Sequence, residues 1–167
     1  IGEMLRENRK LFLHKGAWHK FKGYAYAQMS KIRNKVNSSN LKRAETIEKW
    51  GYDVKFAYHV VRLMNEVEQI MVEGDLDLQR NNEQLKSIRR GEWTLEELED
   101  YFTNKEKILE TTYANSTLQH GPDEAKIKRL LLDCLSAHYG DLSSAVKVVG
   151  PVEQIIADLK EVIDRYK

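Results

Sequence analysis

Apolar residues recur at helical spacing along most of the chain, and the densest pattern lies between Gly51 and Val72. Val54, Phe56, Ala57, Val60, Val61, Leu63, Met64, Val67, Ile70 and Met71 cover far more of a helix circumference than the apolar stripe of a surface helix. The pattern therefore predicts a central, largely buried helix over about residues 52–72. At about 100° per residue, Tyr52, Lys55, His59 and Arg62 share the polar stripe that remains. Burying cations without partners costs on the order of several kcal/mol, so the stripe must face a cleft or a satisfied network. The first suits phosphate; the second pairs Lys55, His59 and Arg62 with Glu66 and other acids as an ordinary helix face.

The flanking patterns are also helical. Residues 2–14 carry Met4, Leu5, Leu11, Phe12 and Leu13 among charges, and Lys15-Gly16 ends that segment. From Trp18 to Val36, Ala25, Met29, Ile32 and Val36 form a core stripe, with Tyr24, Gln28, Lys31 and Lys35 one position earlier on each turn. Residues 37–40 make a polar break, and Leu41 to Trp50 returns to helix until Gly51. Gly74-Asp75 closes the central helix, and residues 75–79 alternate long enough for at most one very short extended segment. Asn81 and Asn82 are placed to cap a helix that Gly91 ends, and Thr94 with Glu97 forms a capping box for the next. Asp123 opens a helix with Ile127, Leu130, Leu131, Cys134 and Leu135, and Gly150-Pro151 precedes a last one with Val152, Ile155, Ile156, Leu159, Val162 and Ile163. The expectation is an all-α fold of seven or eight helices around the central one, in a single domain spanning 1–167.

Composition adds three constraints. No apolar run approaches the roughly 18 residues needed to span a bilayer, so no membrane partner is expected. A single cysteine, Cys134, excludes an internal disulfide framework and makes a reducing cytoplasm the expected compartment. Net charge is only +1, yet residues 1–62 carry 14 Lys and Arg against 5 Asp and Glu, and residues 63–167 carry 13 against 21. Such an asymmetry points to a polyanion on the first half. The chain opens at Ile1-Gly2 without methionine and reads as the C-terminal part of a longer protein.

Catalytic and metal-binding patterns are sparse. There is no nucleophile elbow, no His-Glu-x-x-His or Cys-x-x-Cys spacing, and no glycine loop for phosphate; Cys134 sits on an apolar stripe, as a structural thiol does. Arg9 and His14 have a spacing used by some helical ribonucleases, which is a further candidate. In Ile88-Arg89-Arg90-Gly91-Glu92-Trp93, two guanidinium groups precede a glycine and a carboxylate. They either hold phosphate or end a helix, with Arg89 and Arg90 compensating its dipole and Trp93 filling the core.

Three strings occur in a fixed order: Phe21-Lys22-Gly23-Tyr24-Ala25 with Gln28 and Lys31; Gly51-Tyr52-Asp53 with Lys55, His59 and Arg62-Leu63; and Arg90-Gly91-Glu92-Trp93. Together they resemble the C-terminal helical part of predicted nucleotidyltransferases of the DNA polymerase β superfamily, the RNA-repair-pathway group of bacteria and phages, over roughly residues 10–140. The resemblance implies an α/β palm upstream whose carboxylates hold two Mg2+ ions and transfer a nucleotide from a nucleoside triphosphate. It implies that this chain closes over the nucleotide, with Lys55, His59 and Arg62 directed at phosphate and Tyr52 or Tyr24 available for stacking; Arg89 and Arg90 remain separate phosphate-binding candidates from their own string. Tyr24, Gln28, Lys31 and Lys35 would extend the basic surface toward RNA. No catalytic or metal-ligating residue is expected in this chain. The alternative reading is a non-catalytic interaction module, phage-derived or antitoxin-like, whose basic half docks on nucleic acid or an acidic protein.

Overall fold

The computed structural model describes residues 1–34, 41–140 and 150–165. Among them every regular element is helical: α1 (Gly2–Glu7), α2 (Ala17–Arg33), α3 (Leu41–Trp50), α4 (Val54–Glu73), α5 (Asn82–Arg89), α6 (Leu95–Asn115), α7 (Glu124–Tyr139) and α8 (Pro151–Arg165). The all-α expectation holds, with α4 as the expected central helix. The segment expected to be one helix over 2–14 is instead α1 followed by a 3-10 turn at Arg9–Phe12. Residues 75–79 form no strand. Leu76 N and Gln79 N donate to the carboxylates of Asp75 and Asp77, which is turn chemistry. No helix among the described residues is long and apolar enough to cross a membrane.

The chain divides into two units, Arg9–Glu124 and a second made of Ile1–Asn8 with Ala125–Lys167. In the first, α4 packs against α2, α5 and α6, and more lightly against α3. Val60, Val61, Met64 and Val67 of α4 are buried against Trp18, Ala25, Met29 and Ile32 of α2 and Leu98, Phe102 and Leu109 of α6, with Leu85 and Ile88 of α5 completing the core. Val36, assigned to the same stripe as Ile32, lies outside the described residues.

Helix ends in this unit follow local chemistry. The Asp53 carboxylate accepts from Lys55 N and Phe56 N at the start of α4, and Gly74 ends that helix in the left-handed region at φ 60°. Thr94 and Glu97 bond reciprocally at the start of α6, as their spacing predicts. Asn81 occupies the cap position of α5, but its side chain makes no capping bond. Gly91 has φ 73°, and a Cβ there would fall 2.2 Å from the Trp50 ring.

The second unit contains α1, α7 and α8. Leu130 and Cys134 of α7 are buried, whereas Leu131, expected on the same core stripe, is 56% exposed. On α8, Val152, Ile155, Ile156, Leu159, Val162 and Ile163 share one face, and each is about half exposed or more.

Candidate functional site

α2 and α4 run antiparallel. Lys31, late in α2, lies over Phe56 in the first turn of α4, with Nζ 5.4 Å from the ring centroid. Lys20, early in α2, meets the neighbourhood of Leu63 a further two turns along α4. The two helices bound an open groove of about 370 Å³ lined by Lys20, Phe21, Tyr24, His59, Arg62 and Leu63. Three of the residues singled out in the sequence, Tyr24, His59 and Arg62, thus meet across this groove.

The helical repeat of α2 explains which of its cations share the flank that borders the groove. At about 100° per residue, Lys20, Tyr24 and Lys31 fall within about 40° of one another, while Lys22, Tyr26 and Arg33 fall on the opposite flank. That second flank meets α6. Lys22 Nζ lies 2.9 Å from Glu106 and 2.6 Å from Glu110, and Arg33 Nε lies 2.9 Å from Glu99. The Tyr26 hydroxyl donates to both Glu106 oxygens, at 2.7 and 2.6 Å. Its bonds to Glu110 and Glu106 raise the Lys22 pKa, and the Glu106 carboxylate raises that of Tyr26. Burial pushes Glu106 up, but the Tyr26 hydroxyl and Lys22 ammonium pull it below its usual value. Two cations of the basic half, Lys22 and Arg33, are therefore neutralised inside this unit.

Two assignments made from the sequence are corrected. Gln28 is only 3% exposed, because its angular position lies nearer the core-facing side of α2 than those of Tyr24 and Lys31, so it is not a nucleic-acid-facing residue. Tyr52 precedes α4, is 2% exposed, and donates its hydroxyl to Trp93 O at 2.7 Å. Extrapolating the helical stripe through Asp53 failed there, because Asp53 has the extended backbone of an N-cap. Burial, then the charge of Glu97, raises the Tyr52 pKa. Lys35 lies outside the described residues.

The α4 side of the groove is cationic by side chain rather than by helix dipole. Asp53 already occupies the first N–H groups of α4, so the helix end is not open to phosphate in the usual way. Lys55 is exposed and precedes His59 by one turn, on the flank that carries Arg62. Arg62 Nη1 donates to Glu66 Oε1 at 3.0 Å, the pairing that an ordinary helix face would show. That pair also walls a small, partly open void of about 10 Å³ shared with Asn65, Gln69, Asp77 and Leu85, enough for about one water molecule. Around it, the Tyr101 hydroxyl donates to Asn65 Oδ1 at 2.8 Å, Asn65 Nδ2 to Gln84 Oε1 at 2.7 Å, and Asp77 N to Gln69 Oε1 at 2.9 Å.

The other candidates do not join the groove. Arg89 stacks over Tyr58 at 4.5 Å, and Arg90 pairs with Glu92. Trp93 Nε1 donates to Ser87 Oγ at 3.0 Å, so this string and Trp50-Gly51-Tyr52 build one structural corner. Beside it, a second groove of about 410 Å³ is lined by Ser87, Glu92, Trp93, Glu97 and Tyr101, whose carboxylates disfavour phosphate. Arg9 is bidentate to Asp75, at 3.0 and 2.7 Å, while His14 Nδ1 donates to His120 O at 2.8 Å, which assigns the ribonuclease-like pair to separate structural contacts. Lys20 was missed in the sequence, although it stands four residues before Tyr24 on the same stripe.

The first unit is thus an all-α element with a cationic, aromatic-edged groove. Its donors are ammonium, guanidinium, imidazole and hydroxyl groups, and its bordering carboxylate, Glu66, is held by Arg62; this set does not fit Mg2+. No group of three or more His, Cys, Asp or Glu among the described residues is placed to hold a metal ion. No protein-family model, curated protein or solved structure matches the chain.

Proposed function

We propose that this chain is the helical, nucleotide- or RNA-facing lobe of a nucleotidyltransferase, with the α2/α4 groove as its phosphate-binding face. The observation that carries the reading is the meeting of Lys20, Tyr24, His59 and Arg62 across one groove, from two separate helices. Lys55 and Lys31 continue the positive flank on either helix. The resemblance of three ordered strings adds the enzyme class and an upstream catalytic palm. On this reading the chain supplies charge neutralisation and positioning, and no metal-dependent step is assigned to its residues.

In the 167-residue protein, His59→Ala and Lys55→Ala are each expected to weaken binding of a fluorescent nucleoside triphosphate or oligoribonucleotide about three- to tenfold, one lost charge-assisted contact. The circular dichroism spectrum and thermal midpoint should stay unchanged, because neither side chain belongs to the core. Equal affinity for both probes in wild type and variants would refute the assignment of the groove.

A further inference from the structure

Lys20 and Arg62 line the groove, Lys31 and Lys55 lie beyond its lining on the same two helix flanks, and the spacing of these four cations says which part of a nucleic-acid substrate this face fits. Lys20 and Lys31 stand eleven residues apart on one flank of α2, about 16 Å along the axis at the α-helical rise. Lys55 and Arg62 stand seven residues apart on the facing flank of α4, about 10 Å. A nucleoside triphosphate concentrates its charge within roughly one helical turn, about 5 Å, and would engage one end of such a line. The phosphates of one nucleic-acid strand recur every ~3.4 Å when stacked and at roughly twice that when stretched, so three or four of them match the whole line.

The ring content points the same way. Tyr24 is 50% exposed and sits between the two lysines of α2, with His59 facing it across the groove. A positive track interrupted by exposed rings is the usual means of holding unpaired bases, each of which offers a flat face whatever its identity. A stiff duplex keeps its bases stacked inside and offers Tyr24 nothing comparable.

We infer that the α2/α4 groove is a track for a single-stranded nucleic-acid segment of about three to four nucleotides, the acceptor strand rather than the nucleoside triphosphate. This rests on the phosphate-binding reading above and refines it. Lys20 contacts a phosphate at one end of the track and Lys31 and Lys55 contact phosphates toward the other, Tyr24 stacks on a base between them, and Arg62 remains shared with Glu66.

The test is fluorescence anisotropy of this 167-residue chain with dye-labelled uridine di-, tetra- and octanucleotides, labelled UTP, and a labelled polyglutamate peptide of equal charge. The tetranucleotide is expected to bind at least tenfold more tightly than the dinucleotide or UTP, with less than a threefold gain from four to eight nucleotides. Three lysine contacts to phosphate predict a slope of log affinity against log salt of roughly −2. Lys20→Ala and Lys31→Ala should each weaken the tetranucleotide about threefold, and Tyr24→Ala should weaken it with no change in salt slope. UTP binding as tightly as the tetranucleotide, with both weakened by His59→Ala, would overturn the strand inference while leaving the phosphate groove intact. Polyglutamate binding as tightly as the tetranucleotide would overturn it in favour of an acidic protein partner. Silence of every probe would refute both readings.

Discussion

Tyr52 and His59 are seven residues apart and fall on one stripe of an ideal helix, yet they have opposite surroundings: Tyr52 is sealed in a corner with Trp93, and His59 lines the groove. The difference comes from one carboxylate. Asp53 caps α4, so the residue before it leaves the helical repeat and turns its ring inward. Tyr52→Phe is therefore expected to cost about 1 kcal/mol by leaving Trp93 O without its donor, read from a urea midpoint, with nucleotide binding unchanged. The periodicity of Lys55, His59 and Arg62 was legible because all three lie within α4. Tyr52 was not, since an Asp one residue ahead of an apolar run fixes where the helix starts but not where the preceding ring goes. Gln28 failed for a related reason: a difference of about 40° in angular position separates an exposed residue from a buried one, and the alternation of polar and apolar letters does not resolve it.

At the scale of elements, α2 has two polar flanks that share a composition of Lys, Arg and Tyr but face different neighbours. One meets the acids of α6 and is neutralised there; the other meets α4 and stays cationic. Glu106 holds two groups of α2 at once, so Glu106→Gln should cost about 1 kcal/mol, within the range of partly exposed ion pairs, and lower the thermal midpoint less at high salt than at low salt. Binding to the groove should persist in that variant. The helices themselves were legible nearly to their ends, since apolar spacing and the Thr94–Glu97 box determine where they lie. The pairing of α2 with α6 was not, because it depends on contacts across 66 to 88 residues of sequence that no local pattern specifies.

Across the larger unit, the 3-10 turn near Arg9 is tied to the end of α4 by charge. The Arg9 guanidinium, then the Leu76 N–H, hold Asp75 at about 2, below its ordinary 3.8. Because the folded value is the lower one, the contribution is present above about pH 4 and is lost as the pH falls through about 2. Thermal midpoints of wild type and Asp75→Asn should therefore differ near neutral pH and converge in strong acid. The net charge of the first 62 residues, read along the chain, promised a broad basic surface; among the described residues, folding pairs Arg9, Lys10, Lys22 and Arg33 of that stretch with acids distant in sequence.

Lys15 N and Gly16 N donate to Gln119 O and His120 O at 3.0 and 3.1 Å, so the first and last segments of the Arg9–Glu124 unit are laced together by their backbones. Topologically the unit is a loop of roughly a hundred residues already closed by hydrogen bonds, and bringing those two short segments together costs a closure entropy that grows with the logarithm of the loop length. A covalent link at the same place would remove that entropy from the unfolded state in advance. Lys15→Cys with Gln119→Cys, in a chain carrying Cys134→Ser, is expected to raise the unfolding free energy by up to about 4 kcal/mol when oxidised and to return to the parent value on reduction.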